Sequence, residues 1–280
     1  MNLRIQNGSV LARSLIFLAS SFLLAFCLQV TVHELGHFLT GLLAGAQGGQ
    51  LFLHPFYNSQ VVFESTLDVN GLVWVGVMGI GLDLLLATPL AMLAWRKQSP
   101  LFLPILMWGS IAYIGEGIGM LSSLAVYPEY YEDITQLFRL GVSPAPIAVV
   151  SVVLVLIGLI WLALVTPTAG LAEGAPFWKR LSVYLCSLPL YFGLAIVYIR
   201  IFNPTDTNTL AVRTQQLLIS LVFALLLALL HQPIHRLMKR LIQPRAVIQP
   251  SWSVVGISLL TSAAIFAALV GYSAFLNRIF

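Results

Sequence analysis

The chain has 280 residues, of which 59% are hydrophobic and only 9% charged. That balance excludes a soluble globular enzyme and describes a polytopic membrane protein. The formal charge of +4 is scattered over separate loops, so it forms no patch for nucleic acid, and no nucleic-acid partner is expected. Seven stretches, near 13–44, 71–95, 101–126, 145–167, 179–201, 214–238 and 252–276, are long enough to cross a hydrocarbon core of about 30 Å at about 1.5 Å per residue. The expected fold is all-α, with about seven transmembrane helices and a small β-hairpin after the first. Residues 1–144 form the expected core of three helices plus hairpin, and residues 145–280 a four-helix scaffold.

The first span carries V-T-V-H-E-L-G-H-F-L-T, Val30 to Thr40. His33 and His37 are four apart, so on a helix their rings project from one face, a turn from each other. Glu34 completes H-E-x-x-H, a spacing in which two imidazoles bind Zn2+ and the carboxylate beside them takes a proton from water. Three ionisable residues within one lipid-depth turn are costly and need a reason. Metal binding supplies one; two buried, hydrogen-bonded His residues beside an accidental Glu is the bland alternative.

This His-Glu-Leu-Gly-His helix resembles that of the site-2 protease family of intramembrane zinc metalloproteases, in which Gly often fills the position of Gly36. The resemblance covers about the first half of the chain, Leu15 to Pro144. It implies a zinc-dependent metalloendopeptidase acting on transmembrane segments of membrane proteins, with His33 and His37 as zinc ligands and Glu34 as general base. Past the helix, Gly48-Gly49 breaks the pattern, and Gln50–His54 and Gln60–Ser65 are strand-like, which predicts a hairpin at or dipping into the membrane. Similar segments follow the motif helix in the family. His54, a lone His in that turn, is expected to be solvated.

The second span holds G-V-M-G-I-G-L-D, Gly76 to Asp83, and the third G-E-G-I-G, Gly115 to Gly119. The former loosely resembles the family's small-residue stretch, with Asp83 where Asn would fall. Asp83 and Glu116 are expected to face the bundle interior as metal ligands, partners of a ligand's N–H, or structural groups, with the last two favoured for Asp83. The glycines around Glu116 predict a local loosening or a tight helix contact. The family's third ligand is an Asp in a pattern of Asn, two residues, Pro, four residues, Asp, Gly. Pro128 and Asp133 reproduce its Pro-to-Asp spacing, but Ala125 and Ile134 replace the Asn and Gly. The resemblance thus implies Asp133 as the third zinc ligand, against a plain solvated acidic loop.

Beyond Pro144 the spans are plainly hydrophobic. The fourth is expected to be a lipid-facing scaffold helix, and the fifth to place aromatics at the interface. His231 and His235 lie four apart but lack a neighbouring Glu, and Pro233 separates them. They are read with the following basic residues as a segment touching acidic lipid heads. Cys27 and Cys186 have no partner at C-x-x-C spacing and are read as core fillers. Ten Lys and Arg fall in loops on the N-terminal side against four on the other, predicting a cytoplasmic N-terminus in a multi-pass protein of a bacterial-type plasma membrane.

The leading functional expectation is peptide-bond hydrolysis within the membrane. A transporter or non-proteolytic metal-binding protein using the same polar residues is the alternative, though no inverted repeat is detectable. A di-iron lipid oxygenase ranks last, because five His residues are too few for its ligand demand.

Overall fold

The computed structural model describes residues 2–56, 59–97, 99–125, 134, 137–138, 141–242 and 246–279. Within them α1 spans Asn2–Leu43, α2 Val69–Arg96, α3 Leu103–Ala125, α4 Pro144–Val165, α5 Phe177–Leu185, α6 Leu188–Phe202, α7 Thr207–Met238 and α8 Trp252–Ile279. Strands β1 (Gln50–Phe52) and β2 (Gln60–Val62) pair antiparallel, Leu51 opposite Val61. Among the described residues seven segments, with α5 and α6 counted together, are long and apolar enough to cross a membrane. The chain is an all-α, multi-pass membrane protein with a small hairpin after its first helix.

Local chemistry sets the boundaries. Helix α1 ends where Gly45 and Gly48 take positive φ (96° and 66°), a conformation that a Cβ disfavours. Asp68 caps α2 by accepting from the Gly71 N–H at 2.7 Å, and Asp206 caps α7 through the Thr209 N–H at 2.9 Å. Each satisfies a donor that the first helical turn leaves over. The fifth span is broken at Cys186–Ser187. Pro189 has no N–H for the Leu185 carbonyl one turn back, and at the break Tyr184 O accepts from Ser187 Oγ at 2.5 Å. Helix α7, by contrast, continues through Pro233.

The core lies between α1, α3, α4 and α5–α6. Phe17, Leu18 and Phe22 of α1 meet Leu106, Met107, Ile111 and Ile114 of α3, with Leu162, Tyr184 and Tyr191 closing the other sides. Helices α3 and α4 approach closely. A Cβ on Gly117 would lie 2.7 Å from Ser151 O, and one on Gly158 2.8 Å from Ser110 O, so only the bare glycines allow this spacing. Gly117 beside Glu116 thus serves tight packing in an unbroken α3, whereas Gly115 makes only ordinary contact with Gln29. Two expectations need correcting here. Helix α4 is not merely a lipid-facing scaffold: Ile147, Ser151, Val155, Leu159 and Leu162 bury one full face, because the α3 glycines admit it. The aromatics of the fifth span are mostly not interfacial either; Tyr184, Tyr191 and Phe192 are buried.

The hairpin is docked on protein. Pro55 O accepts from Tyr191 Oη, Leu53 O from Ser273 Oγ, and Phe56 packs among Tyr191, Tyr198 and Phe266. Irregular backbone beside a bilayer needs such partners. His54 is accordingly half-buried and not simply solvated, its Nε2 2.9 Å from Tyr198 Oη.

Candidate metal centre

Helices α1, α2 and α3 bring the motif residues together. His33, Glu34 and His37 are all buried on α1. His37 Nδ1 lies 2.6 Å from Val75 O on α2, and His33 Nδ1 lies 2.9 Å from Glu116 Oε1 on α3. A backbone carbonyl only accepts, so His37 carries its proton on Nδ1; a carboxylate places the His33 proton likewise. In the neutral rings both Nε2 atoms are then bare acceptors, and they face each other at 3.0 Å. Two lone pairs so close repel unless a proton or a cation sits with them.

The separation fits a metal. Two nitrogens on one tetrahedral zinc at about 2.0–2.1 Å are about 3.3–3.4 Å apart. The observed 3.0 Å is a few tenths of an ångström short of that, which a small rotation of either ring restores. Both remote nitrogens are already anchored by a carboxylate and a backbone carbonyl, as metal-bound imidazoles usually are.

Glycine makes this geometry possible. A Cβ on Gly36 would lie 2.4 Å from Met78 O and 2.9 Å from Gly79 Cα, so α1 and α2 touch backbone to backbone at the motif. That contact lays Gly79 on the imidazole pair: its Cβ would fall 2.3 Å from His37 Nε2 and 3.0 Å from His33 Nε2. The rings can lie this close to α2 because residue 79 has no side chain.

No protein-family model, curated protein or solved structure matches this chain.

Asp83 and Glu116 separate in the structure. Glu116 touches a motif histidine directly, whereas Asp83 Oδ1 accepts from Trp108 Nε1 at 2.7 Å and its Oδ2 has no hydrogen-bond partner among the described residues. Asp83 remains within reach of the charges of Glu116 and His33. Asp133 lies outside the described residues, and among the described ones no three His, Cys, Asp or Glu side chains form a metal cage.

The second histidine pair is built differently. His231 Nδ1 meets Tyr184 Oη at 2.8 Å and its Nε2 meets Ala172 O at 3.3 Å, while His235 Nε2 meets Ala163 O at 2.9 Å. Both Nε2 atoms are thus turned to backbone oxygens and not to each other. Both are buried, which corrects the expectation for these two histidines but not for the basic residues after them; Tyr184 and the end of α4 draw the rings inward. Arg236 and Lys239 are exposed and approach Glu173 at 3.7 and 3.9 Å.

Sequence reasoning missed Gln29 and Trp108. Gln29 donates to Glu116 Oε1 at 3.0 Å. It sits one turn before His33, so positions 29, 33 and 37 share a helix face. That period was the available signal.

Proposed function

We propose that this protein is an intramembrane zinc metalloprotease of the site-2 protease type, hydrolysing peptide bonds in membrane-embedded segments of other proteins. The observation that carries the reading is the convergence of His33 Nε2 and His37 Nε2 at 3.0 Å with both Nδ1 atoms already engaged. His33 and His37 hold the metal through Nε2, and Asp133 is the third ligand implied by the family pattern. Bound zinc supplies a Lewis acid that acidifies water and polarises a carbonyl. Glu34, next to His33 and buried, takes the proton from the attacking water and returns it to the leaving amine. Burial of the motif keeps bulk water from the carboxylate and strengthens each charge interaction. A substrate helix must unwind before cleavage, because its carbonyls are otherwise committed to internal hydrogen bonds.

A cation-handling membrane protein is the second reading, favoured by the buried Asp83, whose Oδ2 has no hydrogen-bond partner among the described residues. Glu34→Gln separates the two. The purified protein in lipid, incubated with single-span peptides, should cleave as wild type and, as the variant, keep its zinc but lose cleavage at least a hundredfold. Wild-type protein that takes up no zinc, or a variant that cleaves at the wild-type rate, refutes the protease reading.

A further inference from the structure

We infer that Glu116 is the positioning residue of this centre, fixing the ring and tautomer of His33 and lending its Nε2 the negative charge that strengthens it as a metal donor. The inference rests on the metal reading above and assigns a role to a residue on a different helix, 83 positions from the histidine.

The geometry is specific. Glu116 is 1% exposed, and its Oε1 receives two donors from one face of α1, Gln29 Nε2 at 3.0 Å and His33 Nδ1 at 2.9 Å. One carboxylate oxygen is thus held by two donors that lie a turn apart on α1. Nδ1 and Nε2 lie on opposite sides of an imidazole, so the oxygen bound to Nδ1 is turned away from an ion at Nε2. Glu116 therefore acts through His33. Its carboxylate pulls on the Nδ1 proton and so raises electron density at Nε2. His37 differs, since its Nδ1 meets only the neutral Val75 carbonyl. The two donors are unequal, with His33 the stronger.

A carboxylate at this depth needs a compensating reason. Close packing against α4 needs only the neighbouring Gly117. Asp83, equally buried and within reach of the same charges, spends its Oδ1 on Trp108, which makes it an internal control for buried charge without the His33 contact.

The test titrates purified wild type and the Glu116→Gln, Glu116→Ala and Asp83→Asn variants with Zn2+ against a competing chelator. Absorption bands of the Co2+-loaded forms and unfolding temperatures of the metal-free forms are recorded alongside. Glu116→Ala should lose about 10–100-fold in zinc affinity. Glu116→Gln, which keeps an oxygen acceptor but not the charge, should lose several-fold and shift the cobalt bands. Asp83→Asn should lose less than either. If the Ala variant does not fold, Glu116→Gln decides alone. Wild-type affinity and bands in Glu116→Gln, with only a lowered unfolding temperature, make the residue structural and overturn the inference. An equal loss in Asp83→Asn overturns it too, by showing that buried charge alone matters. No zinc uptake by wild type defeats the metal reading itself, whereas uptake undiminished in the Glu116 variants defeats this inference alone.

Discussion

Gly79→Ala is the sharpest probe of the site, because it adds one methyl group and no charge. The new Cβ would stand 2.3 Å from His37 Nε2, 2.4 Å from His37 Cε1 and 3.0 Å from His33 Nε2. Ordinary contact between such atoms needs about 3.5 Å, so the overlap is about 1 Å. Helix α2 packs on α1 at this same point, with Met78 O and Gly79 Cα against Gly36, so moving it away from the rings breaks that backbone contact. The rings must turn or the helices part, and overpacking of this kind costs about 1–3 kcal/mol. Charged against metal binding, that is about a 5- to 150-fold loss of zinc affinity. Gly193→Ala on α6 is the control. Nothing lies within 4 Å of its Cβ, and removing a helical glycine should stabilise by up to about 1 kcal/mol. Zinc titration with thermal unfolding in detergent reads both effects. If Gly79→Ala binds zinc with wild-type affinity and unfolds at the wild-type temperature, the imidazoles do not sit under residue 79 and the site is drawn wrongly.

Two further outcomes follow from the other histidines. His231→Ala should leave zinc content unchanged while costing about 1–3 kcal/mol of stability, because the buried Tyr184 hydroxyl loses its partner. A drop in zinc equal to that of His33→Ala would contradict the separation of the two pairs. Burial first, and then the charge of Arg213, push His54 from its ordinary 6.5 down to about 4. The folded protein therefore refuses a proton that the unfolded chain accepts. Its contribution is complete above pH 6.5 and is lost as pH falls from 6.5 toward about 4. His54→Gln should flatten that part of the stability–pH curve, measured as unfolding temperature at pH 7 and pH 4.5. The same slope in variant and wild type would count against it.

Membrane spans were readable because apolar runs of over twenty residues admit few other structures. The hairpin was readable because Gly48-Gly49 and Pro55 punctuate the run. Within the site, the motif spacing placed His33 and His37 on one face, but nothing local could rank Asp83 against Glu116. Their difference depends on which α2 and α3 residues meet α1, and that is decided by where glycines let backbones touch. The break at Cys186–Ser187 was hidden inside continuous hydrophobicity, with Pro189 its single marker. His54 and His231 were misplaced because their partners, Tyr198 and Tyr184, come from distant segments, so loop polarity and neighbouring charge were the wrong guides.

One seam of hydroxyl groups has a mechanical meaning. Ser20 Oγ meets Ser258 Oγ at 2.8 Å, and Ser262 Oγ donates to Ser20 O at 2.6 Å, joining α1 to α8 about 20 Å below the histidines at 1.5 Å per residue. Dispersion tolerates a helix rolling about its axis, whereas directional bonds do not. Indexed by these serines at one level and by the Gly36 contact at another, α1 behaves as a fixed spindle. On the protease reading, whatever yields to admit a peptide must then be the surrounding helices and hairpin, while the spindle keeps its bearing.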